Sequence, residues 1–428
     1  MNDWLLWQRL QDHARDDARR VAYVEQASGR SITYAELVDR VSSSTAAAKV
    51  EVLIVGNRID FVVRFLAALL HGHAVLPADV TVPPPELARL KELADGDDAT
   101  GPAVLLASSG TTGQPKLIRR ERAALDAVAR AMSDSVGFGP ADRVLAAVPL
   151  AHSYGLEHGL LSPLWAGSTV LLCDGLDLPP VAAAWRHGAT IFPAVPSMLE
   201  MLLRGNLPPA SSLRRIYTAG APLPLTIADA FTQTYGVKVG QVYGMTEIGS
   251  VVYHDPNGDA WRDRPGTVGR AVSGVSLRTD ADGELLVKSQ GMLSRYIGDD
   301  LHLIDGHFPT GDLATIDADG QLTLLGRRRL LIDVGGAKVN PHEVEAVLAQ
   351  HPAVAACVVL PLRLSETVCR VRAIVVPSDT RHPPAAADLR AFVRERLARH
   401  KVPRLIEFRD DLPRSAAGKV ARQLLETP

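Results

Sequence analysis

Residues 106–116 combine the side chains and the backbone that hold a phosphate group. They read Leu-Ala-Ser-Ser-Gly-Thr-Thr-Gly-Gln-Pro-Lys and follow an apolar stretch at 103–107 that is typical of a buried strand. Glycines let the backbone curl around phosphate oxygens, hydroxyl and backbone N–H groups donate hydrogen bonds to them, and lysine adds a positive charge. The candidate phosphate contacts are Ser108, Ser109, Gly110, Thr111, Thr112, Gly113 and Lys116.

The spacing of this loop differs from that of a P-loop. Gly110 and Gly113 are three residues apart, and Leu117 follows Lys116. A P-loop has four residues between its glycines and a serine or threonine directly after its lysine. A P-loop phosphotransferase is therefore disfavoured. Taken alone, the segment has a second interpretation, an ordinary flexible surface turn.

Three further motifs follow along the chain. Residues 242–247 read Val-Tyr-Gly-Met-Thr-Glu, residues 308–312 read Phe-Pro-Thr-Gly-Asp, and residues 412–422 read Leu-Pro-Arg-Ser-Ala-Ala-Gly-Lys-Val-Ala-Arg. Each is a common kind of segment by itself. In this order and with the phosphate loop, they resemble the motifs of the adenylate-forming superfamily, which includes acyl-CoA synthetases, peptide-synthetase adenylation domains and luciferases.

The resemblance implies an ATP and Mg²⁺ site. Tyr243 would flank the adenine, Thr246 would contact the α-phosphate, and Glu247 would hold the magnesium ion, which prefers oxygen ligands. Asp312 and Arg327 are the implied contacts to the ribose. The same motifs add Gly244, Met245, Gly220, Ala221 and Pro222 to the expected nucleotide contacts.

The resemblance also implies a catalytic lysine and an acid pocket. Lys419 would stabilise both the substrate carboxylate and the charge that develops at the α-phosphate. With Thr246, Glu247 and His152 it completes the expected catalytic set. Residues 149–155 look like the family's acyl-pocket motif, and the expected pocket residues are His152, Ser153, Tyr154, Gly220 and Gly244. A second glycine-rich loop at 334–339 is similar to the one that lines the pantetheine tunnel, with Gly335, Gly336 and Lys338.

The chain departs from the family pattern at three points. Leu117 stands where many members have glycine, Ala337 replaces a common glutamate, and Arg329 and Leu330 occupy the hinge, where an acidic residue or lysine is usual. The hinge difference leaves open which residue absorbs the rotation of the C-terminal domain. It does not bear on adenylation.

Length and periodicity predict an α/β protein with more than one domain. A chain of 428 residues is too long for a single compact core. Alternating strands and helices predict layered α/β subdomains with a mostly parallel sheet, followed by a small β-subdomain and a small mobile α+β C-terminal domain. The expected domains are 1–326, a hinge at 327–330, and 331–428. The expected strands include 52–55, 74–76, 104–107, 144–150, 169–172 and 215–218.

Composition excludes several partners. The net charge of −2 gives no electrostatic reason to expect nucleic acid, no apolar run is long enough for a membrane span, and the three cysteines have no metal-ligand spacing. The N-terminal 20 residues are typical of an amphipathic helix rather than a signal peptide. A cytoplasmic location with reduced thiols is expected.

These features predict an AMP-forming acid–thiol ligase. The acid would react with ATP to an acyl-adenylate, which then passes to the phosphopantetheine thiol of an acyl carrier protein or of CoA. Residues 152–158 lack the aspartate that holds an amino-acid ammonium, and Glu157 is the only candidate for that role. The His-Ser-Tyr sequence is similar to the His-Asn-Tyr of aryl-acid-activating members, so a hydroxybenzoate with its hydroxyl against Ser153 is expected. Packing of Ser153 against the sheet is the alternative.

The region before the phosphate loop is shorter than in the larger synthetases of this family. In this respect the chain resembles the compact stand-alone hydroxybenzoate ligases of aryl-polyene-type pigment pathways, which load an acyl carrier protein. The remaining alternatives are an aryl- or fatty-acyl-CoA ligase that uses free CoA, and a nucleotide-binding homologue with reduced catalysis. The intact Glu247, Asp312 and Lys419 disfavour the last of these.

Overall fold

A computed structural model describes residues 3–45, 49–108, 116–175, 177–205, 207, 211–258, 266–330, 332–334, 337–364, 369–414 and 420–425. Within them the helices are α1 (Leu5–Asp16), α2 (Tyr34–Ser43), α3 (Ile59–Leu70), α4 (Pro84–Asp95), α5 (Arg122–Val136), α6 (Ser153–Leu156), α7 (Ser162–Ala166), α8 (Leu178–Arg186), α9 (Pro196–Gly205), α10 (Leu225–Tyr235), α11 (Pro341–Leu348) and α12 (Ala386–Arg394).

The strands of the first two-thirds of the chain are β1 (Val21–Glu25), β2 (Ser31–Thr33), β3 (Val50–Leu53), β4 (Ala74–Pro77), β5 (Ala103–Ser108), β6 (Lys116–Glu121), β7 (Arg143–Ala146), β8 (Thr169–Leu172), β9 (Ile191–Ala194), β10 (Arg215–Thr218), β11 (Val239–Met245), β12 (Gly249–His254), β13 (Thr267–Ala271), β14 (Val275–Thr279) and β15 (Glu284–Ser289). The later strands are β16 (Arg295–Ile297), β17 (Phe308–Ile316), β18 (Gln321–Arg327), β19 (Ile332–Val334), β20 (Ala337–Val339), β21 (Val354–Arg363), β22 (Cys369–Pro377) and β23 (Leu405–Phe408).

The chain divides into two compact units. The first comprises 1–277, 287–308 and 318–322, and the second comprises 278–286, 309–317 and 323–428. The long continuous segment of the second unit begins at residue 323, a few residues before the predicted hinge. The other two segments of this unit, 278–286 and 309–317, come from the predicted β-subdomain. The predicted hinge at 327–330 stays a prediction.

Two sheets make up the first unit. One has the order β16-β6-β5-β4-β3, with β3, β4 and β5 parallel. The other includes the order β13-β12-β11-β10-β9-β7-β8-β1-β2. Within the run from β11 to β1 adjacent strands are parallel, whereas β12 and β2 pair antiparallel with β11 and β1. Helices α8, α9 and α10 pack on the second sheet around Trp185, Phe192 and Phe231, which are almost fully buried. This alternation of strand and helix confirms the predicted α/β class.

The N-terminal segment is tied to residues far along the chain. Helix α1 has no capping side chain of its own, and the Asp126 carboxylate accepts from the backbone N–H groups of Leu5 and Leu6 at 3.2 and 3.1 Å. Strand β1 pairs in parallel with β8, Tyr23 opposite Val170. These contacts satisfy backbone donors at the helix start that would otherwise be buried without partners.

The second unit carries its own core. Strands β21, β22 and β23 form a three-stranded sheet, and β19 and β20 form a hairpin. Helices α11 and α12 cover the larger sheet around Val344, Leu348, Leu389 and Val393, all fully buried. Among the described residues, no helix is long and apolar enough to span a membrane.

Candidate active site

The predicted phosphate loop joins two adjacent antiparallel strands. Strand β5 ends at Ser108 and β6 begins at Lys116, and these two residues face each other in the register. The Ser108 side chain is buried, and its hydroxyl has no hydrogen-bond partner among the described residues. The Lys116 ammonium forms an ion pair with Asp299 and lies 5.0 Å from the ring centroid of Tyr296. A cation therefore stands at the base of the loop.

Several predicted contacts lie outside the described residues. They are Ser109, Gly110, Thr111, Thr112, Gly113, Gly335, Gly336 and Lys419, and of Lys338 only the backbone is described. Their roles stay predictions.

The adenylate motif spans the end of β11 and the start of the turn to β12. Tyr243 is buried and lies opposite Val252 in the antiparallel pair. A Cβ on Gly244 would come within 2.3 Å of the Gly249 carbonyl oxygen, so only glycine fits there. The predicted contacts Met245 and Thr246 follow and are both partly buried. This hairpin presents the motif as a tight, fixed turn.

Glu247 lies in the same turn beside Tyr296. Its backbone carbonyl accepts from the Leu293 N–H at 2.7 Å, which ties the turn to the segment leading into β16. Burial and the negative charges of the nearby Glu247 and Asp299 carboxylates raise the pKa of Tyr296. Tyr296 therefore lies near both charges predicted for the site, the Lys116 ammonium and the Glu247 carboxylate. Sequence reasoning missed Tyr296, because a tyrosine 49 residues beyond Glu247 carries no local signal.

The acid-pocket segment is shaped by a buried asparagine. Strand β7 ends at Ala146, four residues before the end of the predicted strand at 150. Beyond this point the Asn57 side chain, instead of a neighbouring strand, bonds to the backbone groups of Val148 and Leu150. The Asn57 side-chain amide donates to the carbonyls of Ala146, Val148 and Cys173 and accepts from the Leu150 N–H, all at 2.8–3.2 Å. The chain can therefore leave the sheet and turn towards His152.

The pocket residues themselves begin helix α6. The His152 ring lies 3.8 Å from an Asp79 oxygen. A Cβ on Gly155 would come within 2.1 Å of the Pro149 carbonyl oxygen, so a glycine is required for this close turn. The Tyr154 hydroxyl donates weakly to the Tyr217 carbonyl at 3.4 Å, and burial raises its pKa well above the ordinary value.

A buried ion pair joins Arg120 of β6 to Glu157. The Arg120 Nη1 lies 2.6 Å from Glu157 Oε1, and each side chain is at most 1% exposed. Ser153 Oγ donates to the same carboxylate oxygen at 2.9 Å and accepts from Arg120 at 3.1 Å. The other oxygen accepts from the Ser250 N–H at 2.9 Å and hydroxyl at 2.6 Å. Burial opposes the ionisation of Glu157, but the Arg120 charge and these donors outweigh it and hold its pKa below the usual value.

The network continues to a neutral histidine. Because the Ser250 hydroxyl gives its proton to Glu157, His158 Nε2 must carry a proton to donate to Ser250 Oγ at 3.0 Å. His158 Nδ1 then accepts from the Tyr217 hydroxyl at 2.8 Å. Burial lowers the pKa of His158 to about 4. Glu157 and His158 lie on a π-helical turn, Glu157–Leu161, between α6 and α7, a widened turn that is frequent at functional sites.

This network gives two predicted pocket residues internal partners. The Glu157 carboxylate, the sequence candidate for an ammonium contact, already has Arg120 as its counter-ion. The proton of the Ser153 hydroxyl goes to Glu157, so a substrate hydroxyl would have to donate to Ser153 rather than accept from it. A glutamate inside the apolar stretch 155–161 was the signal that could have identified the pair.

The loop after β10 carries the remaining contacts of the first unit. Gly220 has φ +84°, a left-handed conformation that favours glycine, and it is exposed. Ala221 is partly buried and Pro222 is exposed. These three residues follow directly on a buried parallel strand, at the carboxyl end where ligand sites of α/β sheets usually lie.

The predicted ribose contacts meet in the second unit. The Arg327 Nε lies 2.8 Å from Asp312 Oδ1, and Asp312 is 6% exposed. Thr310 fixes the turn, because its hydroxyl accepts from the Asp312 N–H at 3.1 Å and donates to the Leu285 carbonyl at 2.8 Å. Both predicted residues are thus held in one ion pair, as expected of groups that bind a shared ligand.

Comparison with known proteins identifies the class. The model of the AMP-binding enzyme family matches residues 91–297, and that of the AMP-binding enzyme C-terminal domain matches 343–419. The chain is 32% identical over 346 residues to the 2-succinylbenzoate–CoA ligase of Bacillus subtilis, which covers 77% of this chain and 69% of that protein. The chain belongs to the AMP-binding enzyme family of adenylate-forming acid–thiol ligases.

Two further similarities support this assignment. The indoleacetate–CoA ligase of Aromatoleum aromaticum is 33% identical over 342 residues, covering 75% of this chain and 66% of that protein. The crystal structure of the o-succinylbenzoate CoA synthetase from Bacillus subtilis with its acyl-adenylate intermediate superposes with a TM-score of 0.85 at 26% identity, covering 98% of both chains. Another structure of the o-succinylbenzoate CoA synthetase from Bacillus subtilis contains ATP and a magnesium ion, the two cofactors that the sequence predicts here.

These comparisons refine one sequence expectation, the type of ligase that the chain resembles. The relatives described here are CoA ligases, whereas the sequence resemblance pointed to hydroxybenzoate ligases that load a carrier protein. The chain spans only 61% and 62% of the length of the first curated relatives it matches.

Proposed function

We propose that the protein is an AMP-forming acid–thiol ligase. In the first half-reaction the carboxylate oxygen attacks the α-phosphorus of ATP, giving an acyl-adenylate and pyrophosphate. In the second, a thiolate attacks the acyl carbon, forming a thioester and releasing AMP. The observation that carries this proposal is the proximity of Lys116 and Glu247 to Tyr296. The Lys116 ammonium lies 5.0 Å from the ring centroid of Tyr296, and burial together with the charge of the Glu247 carboxylate raises the pKa of the Tyr296 hydroxyl.

The residues present fit a magnesium ion that is shared with substrate. The described residues contain no cluster of three or more metal-ligating side chains, and Mg²⁺ is commonly held by one or two carboxylates together with nucleotide phosphates. Glu247, which lies near Tyr296, would supply that carboxylate. When bound, the ion would neutralise phosphate charge. Lys116 would hold the outer phosphates, and Asp312 and Arg327 would hold the ribose.

For the thiol acceptor, the names of the relatives favour CoA. Both relatives described above are CoA ligases of 32–33% identity. A phosphopantetheinylated carrier protein presents the same thiol arm, so it remains the second candidate. Gly335, Gly336 and Lys338 would line the tunnel for either arm, and the cytoplasm remains the predicted location.

For the acid, the buried network favours a substrate without an ammonium group. Glu157 is neutralised by Arg120 at 2.6 Å, and the segment 152–158 has no aspartate. The finer proposal is a hydroxylated aromatic acid such as 3- or 4-hydroxybenzoate, whose hydroxyl would donate to Ser153. A site that loses such a bond loses roughly 1–3 kcal/mol, about tenfold to a hundredfold in discrimination.

The test is acid-dependent exchange of labelled pyrophosphate into ATP. A panel of benzoate, hydroxybenzoates, indoleacetate, 2-succinylbenzoate, fatty acids and amino acids identifies the acid, and product analysis with CoA and with a carrier protein identifies the acceptor. Hydroxybenzoate should exceed benzoate, and Ser153→Ala should narrow that gap. Faster exchange with fatty or amino acids would overturn the aryl proposal alone. ATP binding without exchange for any acid would overturn the ligase proposal and favour a homologue with reduced catalysis.

A further inference from the structure

The Arg120–Glu157 pair connects three segments that carry predicted functional residues. Arg120 lies on β6, the strand that begins at Lys116 and follows the phosphate loop. Glu157 binds Ser153, in the acid-pocket segment, at 2.9 Å, and Ser250, directly after the turn that carries Glu247, at 2.6 Å. All three segments belong to the first compact unit. One buried carboxylate is therefore the common partner of the segments that would hold phosphate, acid and magnesium.

Stability alone does not explain this arrangement. Removing two charges from water costs several kcal/mol per ion, and apolar side chains of similar volume often give equal or greater stability. The Arg120 side chain is fully buried, yet its Nε and Nη2 have no hydrogen-bond partner among the described residues. A guanidinium that uses only Nη1 is poorly optimised as a stabilising contact. Nη1 donates to Ser153 Oγ and to Glu157 Oε1, and the other oxygen of Glu157 accepts from Ser250.

The backbone at Gly249 lies close to the Arg120–Glu157 pair. Gly249 has φ +74°, and a Cβ there would lie 2.9 Å from Arg120 Nη2 and 3.4 Å from Glu157 Oε1. The β11–β12 turn can therefore approach the ion pair only because residue 249 is glycine. The position of the Glu247 turn depends on the geometry of the pair.

We propose that Arg120 and Glu157 are positioning residues that set the distance between the acid-pocket segment and the Glu247 turn during adenylation. This inference rests on the proposed ligase function. It assigns neither residue to direct contact with the reacting atoms. The pair acts through Ser153 and Ser250, whose positions it fixes because one Glu157 carboxylate oxygen accepts a hydrogen bond from Ser153 and the other accepts from Ser250.

A matched control exists on the same strand. Arg119, the neighbour of Arg120, forms a second buried ion pair, with Asp97, at 2.6 Å and 1% exposure of each side chain. Successive side chains of a strand point to opposite faces, so the two pairs lie on opposite sides of β6. The variants Arg120→Met/Glu157→Leu and Arg119→Met/Asp97→Leu each remove a buried arginine–carboxylate pair, but only the first removes the connection to Ser153 and Ser250. The second also removes the contact of Asp97 with Arg295.

The experiment measures pyrophosphate exchange at varied acid and varied ATP, together with melting temperature. The Arg120/Glu157 double variant should fold, raise the KM for the acid and lower kcat, with a combined loss of about tenfold to a hundredfold, as misplacement of reacting groups by about 1 Å produces. Its KM for ATP should change by less than about twofold. The Arg119/Asp97 variant should keep the KM for the acid.

A second variant covers the case in which the double variant does not fold. Arg120→Lys keeps the charge but loses the planar fork, so it should raise the KM for the acid at an almost unchanged melting temperature. Wild-type kinetics in both folded variants, or equal effects in the Arg119/Asp97 control, would overturn the positioning role while the ligase function stands. Absence of exchange in the wild-type protein with every acid would overturn both.

Discussion

The substitution Asp312→Asn tests the nucleotide site at its best-defined carboxylate. Asp312 is 6% exposed, and its backbone is fixed by Thr310, so an isosteric amide should leave the turn intact. The carboxylate can accept from both ribose hydroxyls, whereas the amide keeps one acceptor and turns the other position into a donor. One hydrogen bond to a charged group is therefore lost, about 1.5–3 kcal/mol.

This loss corresponds to roughly a tenfold to 150-fold weaker affinity for ATP. The release of Arg327, which pairs with Asp312 at 2.8 Å, does not restore it, since a guanidinium cannot accept a hydrogen bond. Calorimetric titration with MgATP measures the dissociation constant without requiring knowledge of the acid. Asp319→Asn, an exposed aspartate of the same type, is the matched control. An unchanged ATP affinity in a folded Asp312→Asn protein would refute the ribose assignment.

Three further predictions concern the catalytic lysine, the phosphate corner and pH. Lys419→Ala should abolish pyrophosphate exchange yet spare thiol transfer from a supplied acyl-adenylate, while a substitution at Gly336 should do the reverse; equal loss of both half-reactions in either would contradict domain rotation. Asp299→Asn should free the ammonium of Lys116 for phosphate and lower the KM for ATP. The expected decrease is about twofold to fivefold, because a partly exposed ion pair contributes little free energy. A raised KM would show that Asp299 itself supports the site. Burial lowers the pKa of His158 to about 4 in the folded protein, against about 6.5 in the unfolded chain. The neutral imidazole therefore contributes up to about 3 kcal/mol to the free energy of unfolding above pH 6.5, and this contribution is lost as the pH falls towards 4. The free energy of unfolding in urea should depend less on pH over that range in His158→Gln than in the wild type.

Local pattern was sufficient for much of the fold. Strands β8 and β10 agree with the predicted 169–172 and 215–218, because runs of apolar residues bounded by turn signals specify buried strands directly. The motifs also singled out Gly244, where the neighbouring Gly249 carbonyl leaves no room for a Cβ. Asp312 and Arg327, which the motifs predict as ribose contacts, form an ion pair at 2.8 Å, and their ribose role stays a prediction.

Partners that are distant in sequence were not predictable in this way. The amide of Asn57 bonds to backbone groups 89–116 residues away, and these bonds end β7 early. Arg120 lies in the charged run 119–122, which is typical of a solvated surface, yet it is fully buried because Glu157, 37 residues later, neutralises it. Tyr296 became a site residue only through the pairing of β16 with β6. Propensity carries no information about such long-range compensation.

The docking of the N-terminal segment has a consequence for synthesis on the ribosome. Strand β1 can pair early with β2, but it cannot join the large sheet until β8 exists. Tyr23 and Val170 are separated by almost 150 residues, so at about 5–20 residues per second the nascent chain waits roughly 7–30 s for that pairing. During that interval Leu6 and Leu10 of α1, fully buried in the finished protein, are exposed to solvent. Helix α1 therefore docks only after residues far along the chain have emerged, and it would be a substrate for a holding chaperone until Asp126 and β8 are available.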